Sequence, residues 1–169
     1  MNESDGFVLL PLLLLAHGVV GALDTLLNHE LIERLPHRKE TRREIGLHAV
    51  REAIYAALFL GFAWFAWLGG FAWLIAGLLA AEVLVTLTDE ALENRTRVLP
   101  QNERVLHVLL TFNLGVLIAL FAPLLIDWSE HPAELAPAHH GWVSWALTVL
   151  GLASAAWSLR DLLAFRALK

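Results

Sequence analysis

The chain contains no cysteine in its 169 residues. Disulfide bonds, thiolate metal ligands and cysteine nucleophiles are therefore excluded. Basic residues are also scarce, because the 12 lysines and arginines all fall within residues 34–51, 95–104 and 160–169. This distribution offers no basic surface for nucleic acid, and the sequence has no glycine-rich phosphate loop. Carboxylates and imidazoles remain as the groups best able to carry chemistry.

Long hydrophobic runs dominate the rest of the sequence. Hydrophobic residues make up 57% of the chain, and the mean hydropathy is +0.59. The runs lie at 7–27, 53–81, 108–126 and 141–159, and about 20 apolar residues suffice to cross ~30 Å of hydrocarbon. The run at 53–81 supplies two spans if the chain turns at Gly69-Gly70, and one long helix is the competing interpretation. We predict an all-α polytopic membrane protein of one domain with five transmembrane helices.

The charges between these runs predict an orientation. Residues 1–6 and 127–140 carry acids but no lysine or arginine. By the positive-inside rule, the N-terminus should lie outside and the C-terminus in the cytoplasm. No cleavable signal is expected, because the N-terminus lacks a basic region. We expect an integral protein of a membrane such as the bacterial inner membrane.

A pattern of acids, Leu-Pro and Glu-x3-His occurs twice. The first copy contains Asp24, Asn28, Leu35-Pro36, Glu44 and His48, and the second contains Asp89, Glu93, Leu99-Pro100, Glu103 and His107. We interpret this as a duplicated helical hairpin, residues 7–68 and 71–126, that forms a four-helix bundle. The remaining helix, about residues 142–163, is expected to serve packing, lipid contact or a homo-oligomer interface.

Polar residues follow helical spacing within each apolar run. His17, Gly21, Asp24 and Asn28 are separated by four, three and four residues, and Glu82, Thr86, Asp89 and Glu93 repeat that spacing. Such residues share one helical face, and this face should point to protein or water because charged groups are costly in lipid. His29 falls off this face and is predicted to be interfacial.

The hairpin geometry predicts where the polar faces meet. Asp24 and His48 each lie twelve residues from Pro36, so at ~1.5 Å per residue they should reach the same depth. Equivalent counting about Pro100 applies to the second hairpin. Seven residues should converge near the cytoplasmic end of the bundle and are our predicted metal ligands: Asp24, Glu44, His48, Asp89, Glu93, Glu103 and His107.

This arrangement of acids and histidines resembles the ferritin-like di-iron and di-manganese carboxylate proteins. Those bundles place single acids on two helices and a Glu-x-x-His pair on each of the other two, where this chain has Glu44-x3-His48 and Glu103-x3-His107. The resemblance implies a centre of two metal ions, and carboxylates with one imidazole per ion suit iron or manganese. The expected activity is redox or O₂-linked chemistry on a lipid-soluble substrate such as a quinone, an acyl chain or an isoprenoid.

Two further residues are candidates for a catalytic role. Tyr55 is the only tyrosine and lies on the ligand-bearing face of predicted helix 2, while His17 lies about 10 Å from Asp24 at helical rise. Both are expected to touch substrate or to relay a proton. Packing or a satisfied hydrogen bond is the simpler interpretation of each.

Two alternatives use the same polar residues differently. In the first, the acids form a buried ion-pair network with Arg51 and Arg104, either structural or serving a noncatalytic proton or metal-ion carrier. In the second, the chain is a b-type haem electron carrier whose axial ligands come from His17, His48 and His107. The number of acids exceeds the number of intramembrane bases, which favours bound metal.

Overall fold

A computed structural model describes the backbone of residues 3–168 and the side chains of residues 9–168. The N-terminal acids used to predict orientation lie outside the described side chains. The described chain is 85% helical and contains α1 (Glu3–Asp24), α2 (Arg42–Trp64), α3 (Ala72–Thr96), α4 (Gln101–Ser129) and α5 (Trp142–Ala167). Each of the five is long and apolar enough to cross a membrane, which confirms the five-helix prediction. The competing interpretation of residues 53–81 as one helix is wrong, because α2 ends at Trp64.

A π-helix, Thr25–Ile32, continues directly from α1. Its last turn is closed by the Glu33 amide, which donates to the Asn28 carbonyl five residues earlier at 2.8 Å. Residues five apart therefore also come close to sharing one face here, as residues four apart do. Arg34 then ends the segment in a left-handed conformation with φ 51°. The sequence analysis assumed α-helical spacing from His17 to Asn28 and missed this change of pitch.

The first four helices pack together as a bundle. α1 packs against α2 and α4, and α3 packs against the same two helices. The apolar core fills one half of this arrangement and includes Leu58, Phe59, Ile75, Leu117 and Phe121, each at most 2% exposed. Most of the buried carboxylates and two of the three buried histidines, His29 and His48, lie in the other half, toward the helix ends that join at the two Leu-Pro loops.

α5 lies along almost the whole length of α2. A Cβ added to Gly46 would meet the Phe165 ring at 3.0 Å, and one added to Gly151 would meet Leu60 at 2.7 Å. Between these points, the Ser158 hydroxyl donates to the Ala49 carbonyl at 2.7 Å. The packing role expected for this helix is thus realised against α2, with additional contacts to α1.

The connection between α2 and α3 is braced by the loop between α4 and α5. Strand β1 (Phe65–Leu68) pairs antiparallel with β2 (Glu134–Pro137), a pairing that the sequence analysis did not predict. Gly69 has φ +60°, and a Cβ there would lie 2.6 Å from the backbone of Ala133. Both the positive φ and this close approach require glycine. The predicted turn at Gly69-Gly70 therefore exists, and Gly69 is the residue that makes it.

Candidate metal centre

The seven predicted metal ligands lie in one buried region formed by α1 to α4 and the π-helix. The five carboxylate residues and His48 are each at most 4% exposed, and His107 is half-buried. Five of the seven belong to one of two neighbouring groups of possible ligands. Two of the seven lie outside both groups: Asp89, which contacts a histidine of the second group, and Glu103, which accepts a hydrogen bond from Arg97.

The first group comes from α1, the π-helix and α4. It contains Asp24, His29 and His107, with one ligand atom from each within 4.8 Å of the others. Asp24 Oδ2 lies 3.1 Å from His107 Nε2 and 3.6 Å from His29 Nε2. Ligands bound to one ion at ~2.1 Å are typically ~3.0–3.4 Å apart, so these separations suit a shared ion as well as hydrogen bonds. Asn28 Nδ2 donates to Asp24 Oδ1 at 2.6 Å and fixes the carboxylate.

The second group joins α2 to α3. It contains Glu44, His48 and Glu93, again with ligand atoms within 4.8 Å of one another. His48 Nε2 lies 3.2 Å from Asp89 Oδ2. A carboxylate that holds one ring nitrogen of a histidine leaves the other nitrogen for a metal and fixes the ring orientation. Asp89 is therefore placed to orient His48 instead of binding an ion directly.

Glu93 lies between the two groups. Its Oε2 is 3.4 Å from His107 Nδ1, while its Oε1 accepts a hydrogen bond from Arg97 at 3.1 Å. Glu93 and His107 also form a third set of candidate ligands with the exposed Glu90. A carboxylate in contact with both groups occupies the position of a bridging ligand.

His29 is a site residue that the sequence analysis missed. It is 6% exposed, and its ring stacks on His48 with centroids 4.4 Å apart and planes 10° apart. Its Nε2 also lies 3.5 Å from Glu103 Oε1. A spacing of five from Asp24 is off-face in an α-helix but on-face in the π-helix. The sequence analysis could not reveal this, because it assumed α-helical pitch throughout.

Arg97 is the second residue that was missed. Its guanidinium donates to Glu44 Oε1 at 2.7 Å, Glu93 Oε1 at 3.1 Å and Glu103 Oε2 at 2.9 Å. Burial disfavours its charge, but the hydrogen bonds to Glu103 and Glu44 outweigh burial and hold the pKa of Arg97 above its ordinary value. The predicted counterion Arg104 instead donates to the Leu99 carbonyl.

Arg51, the other predicted counterion, does meet acids. It donates to Asp89 Oδ2 at 2.9 Å and to Glu82 Oε1 at 3.3 Å. The region thus holds two guanidiniums, from Arg51 and Arg97, against six buried carboxylates, from Asp24, Glu44, Glu82, Asp89, Glu93 and Glu103. Protonation of His29, His48 and His107 together would still leave an excess of negative charge. Because unpaired buried charges are costly, bound cations would stabilise this arrangement.

A cavity of about 190 Å³ adjoins both groups of candidate ligands. Asp24, His29 and His48 line one part of it, and the two predicted catalytic residues, His17 and Tyr55, line another. The His17 ring stacks on Tyr55 with centroids 4.6 Å apart. A smaller cavity of about 50 Å³ lies on the α3 and α4 side and is also lined by His17. The predicted catalytic residues are thus brought beside the predicted ligands.

Comparison with known proteins identifies no relative of this chain. No family model matches it, and neither the curated proteins nor the solved structures contain a significant match. The resemblance to ferritin-like carboxylate proteins therefore rests on the pattern of acids and histidines. The function has to be argued from the site itself.

Proposed function

We propose that the chain is a membrane-embedded carboxylate protein that holds two iron or manganese ions and performs redox or O₂-linked chemistry on a lipid-soluble substrate. Asp24, His29 and His107 would hold one ion, and Glu44 and His48 the other, with Glu93 between them. The observation that carries the proposal is the packing of two acid–histidine groups around Glu93, in a region where carboxylates outnumber guanidiniums by six to two.

The surrounding residues support such a centre. Asp89 and Asn28 fix His48 and Asp24 in position through hydrogen bonds. Arg97 neutralises part of the charge of Glu44, Glu93 and Glu103 and holds these carboxylates in one place. Bound iron or manganese would supply redox chemistry with O₂ as the oxidant. The adjacent cavity would hold an apolar substrate away from water and beside the ligands.

The site's place in the membrane follows from the positions of the charges. All the candidate ligands lie near the helix ends that carry the basic loops at residues 34–51 and 95–104. We infer that this end faces the cytoplasm, by the positive-inside rule. The two hairpins that supply the ligands would be copies of one ancestral unit. The apolar outer face of α5, with Trp145, Val149 and Leu152 exposed, would contact lipid or a second copy of the chain.

The ion-pair network is the second candidate, and Arg97 favours it. Both carboxylate oxygens of Glu44 and of Glu103 contact this guanidinium, so these acids already have a partner. In that case the region would be structural or would conduct protons. Haem has less support, because Nε2 of His48 and Nε2 of His107 face Asp89 and Asp24 and would have to leave these carboxylates to bind its iron.

Metal content of purified variants separates these candidates. His48→Ala, His107→Ala, Glu44→Ala and Glu93→Ala should each lower the content from about two ions per chain, while the exposed His131→Ala serves as control. A haem protein would lose a Soret band in the histidine variants and keep it in the glutamate variants. A pure ion-pair network would instead lose folded protein, at a cost of ~3–5 kcal/mol for an uncompensated buried charge, with no metal to lose.

A further inference from the structure

The larger cavity contains polar atoms that the protein itself leaves without hydrogen bonds. Five of its lining residues carry a buried polar atom without a hydrogen-bond partner: His17 Nδ1, His29 Nε2, Glu52 Oε2, Tyr55 Oη and Trp157 Nε1. His17 is 6% exposed as a whole residue. Buried polar groups are normally paired, because burying one without a partner is costly. Five such atoms in one cavity indicate a ligand that supplies partners, and the atoms of His17, Glu52 and Trp157 define its chemistry.

These atoms come from three helices and differ in chemistry. Trp157, on α5, carries an N–H that can only donate, so it requires an acceptor such as a carbonyl oxygen. The Glu52 carboxyl, on α2, and the His17 imidazole, on α1, can each accept from a hydroxyl. A ligand that satisfies all three therefore bears oxygens that accept and donate, which a plain acyl chain or isoprenoid does not.

The shape and the other walls of the cavity favour a flat ring. Its volume of about 190 Å³ is comparable with the ~150 Å³ cavity that holds benzene in an engineered protein. One wall is a series of stacked rings, with His17 4.6 Å from Tyr55 and Tyr55 5.5 Å from Phe59. Aromatic rings pack well on such a surface.

The cavity also reaches the outer surface of the helices. Ala22 and Leu26 of the first helical segment and Ala153 of α5 line it and are themselves exposed. Because these helices are apolar enough to cross a membrane, this surface faces lipid. A ligand with a hydrophobic tail could keep the tail in the bilayer while its ring occupied the cavity.

We propose that the cavity between α1, α2 and α5 binds the headgroup of a lipid-soluble quinone or quinol. A quinone oxygen accepts from Trp157 Nε1–H, and a quinol hydroxyl donates to Glu52 or to His17. The ring lies along His17, Tyr55 and Phe59, next to Asp24, His29 and His48. This assignment narrows the substrate class of the function proposed above and rests on it for the ring's redox role, though binding itself needs only the cavity.

Gly21 offers a direct way to close the cavity. It lines the cavity, and a Cβ added there would meet only Leu110, at 4.0 Å. A leucine side chain at this position would therefore enter the cavity without disturbing the backbone. Gly115 on α4 is the matched control, since it is exposed, has nothing within 4 Å of an added Cβ and does not line the cavity.

The test is titration calorimetry with decylubiquinone on full-length protein in nanodiscs. Wild type and Gly115→Leu should bind one equivalent, and Gly21→Leu should bind at least tenfold more weakly. Trp157→Phe should weaken binding roughly three- to tenfold, as expected for one hydrogen bond of ~0.5–1.5 kcal/mol. Equal binding by the Gly21→Leu and Gly115→Leu variants would overturn the proposal.

Competing probes test the chemistry of the headgroup. Decylbenzene, which has the ring and tail but no oxygens, and palmitate, an acyl chain, should both fail to displace decylubiquinone. Displacement by decylbenzene would show that the cavity selects apolar volume only, and displacement by palmitate would assign it to an acyl chain. The same titration on protein purified without chelator, with its metal content measured, separates the two proposals. Quinone binding by protein that holds no metal would retain this one and refute the metal centre, and a metal-loaded protein that binds no quinone would do the reverse.

Discussion

The rings of His29 and His48 stack nearly parallel, with centroids 4.4 Å apart. His29 lies in the π-helix and His48 in α2, so the contact joins the two groups of candidate ligands across the helix boundary. His29 also meets the edge of the His107 ring, at 6.4 Å between centroids. The three histidines therefore form one cluster, and the change of pitch after Asp24 is what brings His29 into it.

The π-helix leads to a prediction about His29. His29→Ala should lower the metal content by about one ion per chain, because it removes a ligand of the first group and leaves Glu44, His48 and Glu93 in place. His37→Ala, which removes an exposed histidine of the adjoining loop, should retain the wild-type content. Elemental analysis of both purified variants makes the comparison. Wild-type metal content in the His29 variant would show that His29 is not a ligand and would favour the interfacial role expected from the sequence.

Arg97 should be essential for stability. Arg97→Ala leaves Glu44, Glu93 and Glu103 without their shared counterion, so we expect a loss of about 3–5 kcal/mol. Arg95→Ala, two residues away and exposed, should stay within about 0.5 kcal/mol of wild type. Thermal unfolding in detergent measures both. Equal thermal stability of the two variants would show that water or solvent ions can replace Arg97.

Metal should partly rescue the Arg97→Ala variant. A ligand that binds only the folded state stabilises it by mass action, by roughly 2.7 kcal/mol at a hundred times its Kd. If the three carboxylates can bind cations, added Mn²⁺ should raise the Tm of this variant more than it raises the Tm of Arg95→Ala. Equal shifts in both would favour the ion-pair network.

The turn at Gly69-Gly70 should tolerate substitution at Gly70 but not at Gly69. Gly69→Ala forces a left-handed conformation, at ~1–2 kcal/mol, and places a methyl group 2.6 Å from the Ala133 backbone. Gly70→Ala meets nothing within 4 Å and should be close to neutral. The difference in Tm between the two variants reports the strain. Tm values that coincide would contradict the strand-braced turn.

The orientation can be tested with single cysteines, since the chain has none of its own. His37→Cys and Glu134→Cys place a thiol at exposed positions in loops at opposite ends of the helices. A membrane-impermeant maleimide added to intact cells should label the second and not the first. Labelling of both from one side would contradict the placement of the site at the cytoplasmic end.

Much of the fold could be predicted from hydrophobic runs and from the glycines that interrupt them. Runs of about 20 apolar residues and the Gly69-Gly70 break were enough to predict five helices, because lipid requires every backbone group to be paired within a helix. The β1–β2 pairing could not be predicted, because Glu134–Pro137 lies in a polar loop and pairs with a segment about 70 residues away. The extent of α2–α5 packing depends on small residues such as Gly46 and Gly151, which carry no periodic signal.

The candidate site was only partly predictable. The residues at α-helical spacing converge as predicted, but Asp24 contacts His107 and His48 contacts Asp89, so these pairs join the two hairpins, whereas counting about Pro36 compared Asp24 with His48. His29 was missed because the π-helix alters the face it occupies. Arg97 was missed because it follows the end of α3, where its long side chain folds back onto Glu93 and across to Glu44 and Glu103. Helical periodicity predicts which residues share a face within a helix. It does not predict the contacts of a side chain that lies beyond the helix end and folds back.

The metal content of the wild-type protein tests the central claim most directly. Protein purified without chelator, from cells supplied with metal, is analysed for Fe, Mn and Zn per chain. Because two groups of acids and histidines meet at Glu93, we predict about two equivalents of iron or manganese, bound tightly enough to survive purification. A total below about half an equivalent would contradict the dinuclear centre and would favour the buried ion-pair network around Arg97.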